Sequence, residues 1–294
     1  MIADFVSTRG LTKKYKEITA LDRVDLAVDE GSIYGLVGPN GAGKTTMLGI
    51  LAGLRKPSAG EVQIETASVG VVPDTPLFDK WLTGREVVEL SRTLAGERVP
   101  SSAVDDVLEV AGLPDAAHRK VTGYSRGMLQ RLGLAAAVVN QPDLLLLDEP
   151  AAALDPSGRR EVLDLVAALR GRSTVLFSSH ILDDVQEVCD TIGILRRGEL
   201  MYQGSLSGLL SRYGSTNYLV GVRGNSEAVV SALEAQEWVA SVDTTPSGEL
   251  RIAVRSLASA EENLVSVLAT SGAPIVSIVP AQPSLERVFL EVTR

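Results

Sequence analysis

Gly38-Pro39-Asn40-Gly41-Ala42-Gly43-Lys44-Thr45-Thr46 is the stretch that decides the fold. It fits the phosphate-loop template G-x-x-x-x-G-K-[ST] without a mismatch. Gly38, Gly41 and Gly43 allow a tight turn that aims backbone N–H groups at an anion. A helix starting near Lys44 adds the positive end of its dipole. Lys44 can reach the outer phosphates of a nucleotide, and the Thr45 hydroxyl can ligate Mg²⁺. Upstream, Ile33 to Val37 reads as a short buried strand; downstream, Met47 to Leu51 carries apolar residues onward as a helix. Strand, loop and helix in that order predict nucleotide binding rather than a chance glycine-rich turn.

The rest of the composition narrows what the nucleotide drives. The 294 residues suffice for one large domain or two ordinary ones, and 45% of them are hydrophobic, enough for a substantial core. Mean hydropathy is +0.16, yet no run of 18 apolar residues exists to span a bilayer. The N-terminus lacks the basic and apolar regions of a signal peptide, so a cytoplasmic protein is expected. The single cysteine, Cys189, excludes an internal disulfide and a cysteine-based zinc cluster, and reads as a small core residue. A net charge of −9 disfavours a phosphate-backbone binder, and 4% aromatic residues disfavour base-stacking platforms.

Outward from the phosphate loop, the chain alternates strand and helix. Leu11 to Tyr15 reads as a strand, and Leu21 to Val28 has the alternation of a half-buried one. Tyr15 reads as a partly buried strand end or, beside the phosphate loop, as a stack for a nucleobase. Thr83-Gly-Arg-Glu86 has the S/T-x-x-E pattern that opens a helix, and residues 80–120 read as a helical block inserted into an α/β fold. Tyr124-Ser-Arg-Gly127 opens a helix over 128–140; Ser125 and Gly127 are either an ordinary N-cap or a second anion site. Leu144 to Leu147 is a strand buried on both faces, as in parallel sheets, and it ends in Asp148 and Glu149. Asp148 can hold Mg²⁺ and Glu149 can orient an attacking water, where surface or capping acids are the plain alternative. Pro156 begins a helix to about residue 170. Ser173 to Ser178 is another buried strand, and His180 follows it on the ligand side of such a sheet. His118 reads as surface. Residues 190–204 read as a closing hairpin with Arg197 and Gly198 at its turn.

A boundary is expected near residues 212–217, giving domains over 1–212 and 215–294. Beyond it the order βαββαβ is that of a small ferredoxin-like module, followed by an amphipathic helix from Leu285 to Leu290. No catalytic constellation is read after residue 210.

The phosphate loop, the Ser125 turn, the Asp148-Glu149 strand end and His180, in this order, resemble the ATP-binding subunit of an ABC transporter. The resemblance covers residues 1 to about 212. Gly38 to Thr46 matches Walker A, Tyr124 to Arg131 the signature motif, Leu144 to Glu149 Walker B with its catalytic glutamate, and Ala153-Leu-Asp155 the D-loop. His180 matches the switch histidine and Tyr15 the adenine-stacking A-loop. The resemblance implies a parallel core sheet, an N-terminal antiparallel sheet and a helical subdomain at about 76–140. It implies a head-to-tail dimer with ATP sandwiched between Walker A of one copy and Ser125 and Gly127 of the other. Lys44, Glu149 and His180 are the implied catalytic groups, Thr45, Asp148 and Asp74 the implied magnesium ligands, and Asp155 an implied nucleotide-site residue. The implied partners are a membrane permease, met near residues 76–95, and a second cassette, with a homodimer expected. Nucleic acid and direct contact with the transported substrate are not expected.

Two departures stand out. Asp74 occupies the place of the Q-loop glutamine, and an aspartate is shorter, charged and unable to donate as an amide does. Arg126 and Met128 stand where the commonest signature has glycine and glutamine. This signature form, with a C-terminal module ending in Pro283-Ser-Leu-Glu-Arg-Val-Phe-Leu290, looks like the ABC-2 exporter branch of drug, sodium, lipid and polysaccharide exporters. The rival reading is a soluble ABC-type ATPase that switches a nucleic-acid or ribosome partner. Such proteins usually carry two cassettes, a coiled-coil insertion or zinc cysteines, and this chain has one cassette, one cysteine and no basic stripe. The C-terminal module reads as a dimer-stabilising cap or as a small-ligand sensor.

Overall fold

The computed structural model describes residues 4–96, 99–152, 154–213, 217–245, 247–281 and 285–292. Two compact units divide at Leu206 and Ser207, somewhat before the boundary expected from sequence. Ala153 of the D-loop motif and Pro283 of the closing motif lie outside the described residues.

The first unit opens with β1 (Val6–Tyr15), β2 (Ile18–Val24) and β3 (Ala27–Val28), followed by β4 (Ile33–Val37), α1 (Lys44–Leu51) and β5 (Ala59–Ile64). β1 pairs antiparallel with β2, β3 and β5, which makes the antiparallel sheet. The stretch read as one strand from Leu21 to Val28 is interrupted. Thr8 Oγ1 donates to Val24 O and accepts from Leu26 N, and Asp25 Oδ1 accepts from Gly10 N. Side-chain bonds thus replace the ladder there and let the chain turn from one side of β1 to the other.

Next come β6 (Val69–Val72), α2 (Gly84–Leu94), α3 (Ser102–Val110), α4 (Arg126–Val138) and β7 (Leu144–Asp148). Then follow α5 (Pro156–Ala167), β8 (Thr174–Ser179), α6 (Leu182–Val188), β9 (Thr191–Arg196) and β10 (Glu199–Ser205). Helices α2 to α4 share their own core of Val88, Val104, Leu108, Leu113 and Leu132. The start of α2 is the capping box expected: Glu86 N donates to Thr83 Oγ1, and Thr83 N donates to Glu86 Oε2.

The central sheet has the order β10-β9-β4-β8-β7-β6. β9, β4, β8, β7 and β6 run parallel, and β10 returns antiparallel through Arg197 and Gly198. Both residues have positive φ, +51° and +84°, as a tight hairpin turn of this kind requires. β4 and β7 are buried along their whole length, which is why neither shows polar alternation. Ligand-side loops of such a sheet lie at the carboxyl ends of its strands. The phosphate loop after β4, Glu149 after β7 and His180 after β8 all stand there.

The sequence did not announce α6. Its helical turn carries Asp183 and Asp184 near the start, and its apolar residues are few. Packing supplies the reason for it: Val185 and Cys189 abut the glycine face of β4. A Cβ on Gly35 would stand 2.5 Å from Val185 Cγ1 and 2.8 Å from Cys189 Sγ. Burial pushes the Cys189 thiol up, well out of the reactive range.

The second unit, described by itself, begins with most of α7 (Leu206–Tyr213). It continues with β11 (Asn217–Val222), α8 (Glu227–Glu234), β12 (Val239–Thr244), β13 (Leu250–Val254), α9 (Leu257–Thr270), β14 (Ile275–Ala281) and α10 (Leu285–Val292). Its antiparallel sheet has the order β12-β13-β11-β14, the ferredoxin-like arrangement read from the βαββαβ pattern. Val229, Leu233, Ala260, Leu264 and Leu268 of α8 and α9 bury against Val220, Leu250 and Ile252 of the sheet.

Candidate functional site

The phosphate loop wraps a cleft of about 380 Å³. Asn40, Gly41, Ala42, Gly43, Lys44, Thr45 and Thr46 line one side, and Asp74, Glu149, Ala152 and His180 the other. Gly41 and Gly43 have φ of +81° and +113°, conformations open to glycine. Gly38 is required for a different reason: a Cβ there would stand 2.2 Å from Leu195 O.

Lys44 is almost wholly buried, and its ammonium donates to Gly38 O at 2.7 Å. It also lies 3.1 Å from Glu149 Oε1. The other oxygen, Glu149 Oε2, is 2.7 Å from His180 Nδ1 and accepts from His180 N at 3.3 Å. One carboxylate therefore bridges the phosphate-loop lysine and the histidine after β8. Three loops distant in sequence meet at this point because β4, β8 and β7 are neighbours in the sheet.

Glu149 has φ of +49°, rare for a residue with a side chain. Its N–H donates to Ser178 O at 3.2 Å and to Ser178 Oγ at 2.9 Å. Ser178 Oγ in turn donates to Asp148 Oδ1 at 2.6 Å. Ser178 thus fixes Asp148 and Glu149 together. It was not singled out from the sequence, although a serine near the end of the mostly apolar β8, in register with Asp148, is the available signal.

Other expected site residues lie elsewhere. Ser125 is the N-cap of α4 and accepts from Met128 N, the ordinary structural role of such a serine. It is exposed, and neither it nor Gly127 lines the cleft. Leu154 Cδ2 would be 3.9 Å from a Cβ on Gly127, so the signature turn and the D-loop adjoin. Asp155 precedes α5, with its Oδ1 3.0 Å from where a Cβ on Gly158 would stand. Tyr15 does not line the cleft; its hydroxyl accepts from Arg55 Nη1 at 3.1 Å, and the Lys13 ammonium sits 4.9 Å from its ring centre. Pro39 is exposed at the loop tip. His118 is exposed, as expected.

A larger and mostly apolar cavity of about 530 Å³ lies between α3, α4 and α5. Pro142 and Ser173 place it at the N-terminal ends of β7 and β8, away from every group named above. Convergent charge, not cavity size, identifies the candidate site. The cleft presents a buried cation, a helix N-terminus and backbone donors for an anion, with a carboxylate already aimed at the same spot.

Comparison with known proteins agrees with this geometry. Residues 21–152 match the family described as ABC transporter, and residues 204–293 match the one described as ATP-binding protein DrrA1-3-like, C-terminal domain. The chain is 35% identical to an uncharacterized ABC transporter ATP-binding protein, YxlF, of Bacillus subtilis (strain 168), over 98% of this chain and 99% of that protein. It is 32% identical to the daunorubicin resistance ATP-binding protein DrrA3 of Streptomyces coeruleorubidus, over 98% and 95% of the two chains. Among solved structures, the dimeric post-hydrolysis state of the ATP-binding cassette MJ0796 bound to ADP and Pi superposes with a TM-score of 0.63. That pair shares 28% identity over 68% of this chain and 98% of the other.

Proposed function

The chain belongs to the ATP-binding subunits of ABC transporters, and from that premise we propose that it closes around ATP as a head-to-tail homodimer and powers a separate export permease. It is an ATPase of that family, in the branch that carries the DrrA-like C-terminal domain. The observation that carries the mechanism is Glu149 held between Lys44 and His180 at the mouth of the phosphate loop.

Phosphoryl transfer to water needs positioning and charge neutralisation more than covalent chemistry. The loop N–H groups from Gly41 to Thr46 and the Lys44 ammonium hold the phosphates. An arriving phosphate offers Lys44 a second counterion, so Glu149 can turn to the attacking water and take its proton. His180 orients Glu149 and reaches the outer phosphate. Thr45, Asp148 and Asp74 offer only oxygen donors, a set that suits a hard cation such as Mg²⁺. When bound there, the ion neutralises charge on the phosphate oxygens. Ser178 holds Asp148 in place for that task.

Ser125 and Gly127 stand outside the cleft of their own chain, which supports a site completed by the signature turn of a second copy. Tyr15, at the end of β1, is the proposed adenine platform, and Asp155 the proposed contact to the partner's phosphate loop. For the permease, the stretch expected to meet it leaves large apolar side chains exposed: Leu77, Trp81 and Leu94 are 88%, 67% and 78% exposed. No helix among the described residues is long and apolar enough to cross a membrane, so a chain bound to the membrane through its permease fits. The relative named for daunorubicin resistance supports an exported drug-like substrate. Turnover of Mg-ATP tests the reading: Glu149→Gln is expected to bind ATP and not to hydrolyse it, and a variant with wild-type turnover would overturn it.

A further inference from the structure

Asp184 is a carboxylate that the proposed reaction does not use. It sits in the first turn of α6, four residues after His180, and is 1% exposed. Burial pushes its pKa up, and the neighbouring Arg159 guanidinium pulls it back. Arg159 Nε donates to Asp184 Oδ1, while Oδ2 has no hydrogen-bond partner among the described residues. Arg159 lies in the first turn of α5, and its own N–H donates to Asp155 O at 2.9 Å. One ion pair therefore joins the turn that follows the D-loop to the turn that follows His180.

We propose that Arg159 and Asp184 are positioning residues: a strut, half-buried at Arg159 and buried at Asp184, that makes the Asp155 loop and His180 move together. This rests on the dimer reading above, in which Asp155 faces the second copy. Parting the pair would leave a carboxylate buried with no counterion, which is strongly disfavoured. So α5 and α6 shift as one body. The remaining contacts of α6 carry the motion onward. Val185 is wedged against Gly35 of β4, the strand that feeds the phosphate loop. Ile181 N donates to Ser179 Oγ at 2.9 Å, which fixes the step from β8 through His180 into α6. A weaker pair, Arg160 with Glu187 at 3.7 Å, spans the same two helices at the surface. Closure of a second copy on Asp155 would thereby tighten His180 on Glu149, and hydrolysis at one site would report to the other.

The test replaces both charges together, Arg159→Leu with Asp184→Leu, so that the buried carboxylate is not left without its counterion. The full chain is assayed for ADP affinity without Mg²⁺, using a fluorescent ADP, and for ATP turnover against ATP concentration. The expected result is unchanged ADP affinity, a kcat at least fivefold lower, and a Hill coefficient falling to 1. Asp184→Glu, which keeps the pair, is expected to retain both kcat and Hill coefficient. A double variant with wild-type kcat and Hill coefficient overturns the strut. If the double variant does not fold, Asp184→Asn takes its place: a fall in kcat and Hill coefficient supports the strut, and wild-type values of both overturn it. A wild-type chain without any Mg-ATPase would overturn the functional reading and this one together, whereas an active wild type with an indifferent variant overturns the strut alone.

Discussion

At the scale of the residue, the candidate site is a set of charges that neutralise one another, and in the proposed reaction an arriving phosphate takes over Lys44. Glu149 is the clearest case, since Lys44 and His180 each hold one of its oxygens. Replacing it with glutamine keeps the shape and removes the base, so ATP turnover is expected to fall by about 10²-fold or more, as for loss of a general base. Ser178 gives a second prediction. Ser178→Ala removes the donor to Asp148 and an acceptor for Glu149 N, both at buried or half-buried groups. A hydrogen bond to a charged group is worth about 1.5–3 kcal/mol. Thermal melting and Mg²⁺-dependent turnover should both drop, and an unchanged Mg²⁺ requirement would argue against that role. Lys44, Thr45 and Glu149, which line the cleft, stood out in the sequence because each belongs to a stretch with a chemical reason; His180 lines it too, but it came forward only through the family resemblance, and Asp148 is tied to the cleft through Ser178. Ser178 was not, because its importance comes from register across a parallel strand pair thirty residues apart. Asp74 was legible only as a departure, and the fold brings it to the cleft all the same.

At the scale of the element, strands and capped helices followed from local chemistry, and the missed pieces are those held by tertiary packing. β4 and β7 read correctly because uninterrupted apolar runs announce strands buried on both faces. The start of α2 read correctly because Thr83 and Glu86 satisfy each other's N–H groups. That cap has a pH signature. Its hydrogen bonds to Thr83 hold the Glu86 carboxyl below its ordinary value of 4.5. The stabilisation is therefore present above that ordinary value and is lost as pH falls through the lowered one. Glu86→Gln should lower the melting temperature more at pH 7 than at pH 3; an equal deficit at both would remove the charge from the explanation. In contrast, α6 is short and acid-rich and exists because Val185 and Cys189 fit the bare face of Gly35. Gly35→Ala forces a methyl into that contact and is expected to cost about 1–3 kcal/mol, as overpacking does. A melting curve like the wild type's would contradict the fit. The single strand read over 21–28 failed for a related reason: Thr8 and Asp25, distant in sequence from each other, supply the bonds that break it.

At the scale of the whole molecule, the cassette and its small C-terminal module were both visible as changes of pattern, from alternating βα units to βαββαβ. Their boundary was less sharp: it was expected near residues 212–217, and the units divide at Leu206 and Ser207. What no single chain shows is the second half of the site. Ser125 and Gly127 stand outside the cleft they are proposed to serve, Asp155 does not line that cleft, and the family's working unit is a pair. The mechanism therefore stands on ATP itself joining two copies. Size-exclusion chromatography of the Glu149→Gln chain, with and without Mg-ATP, reads that step directly. A monomer that becomes a dimer only with Mg-ATP, and stays a monomer when Ser125→Arg is added, is the predicted result. An elution volume that ignores ATP, or a dimer indifferent to Ser125→Arg, would contradict it.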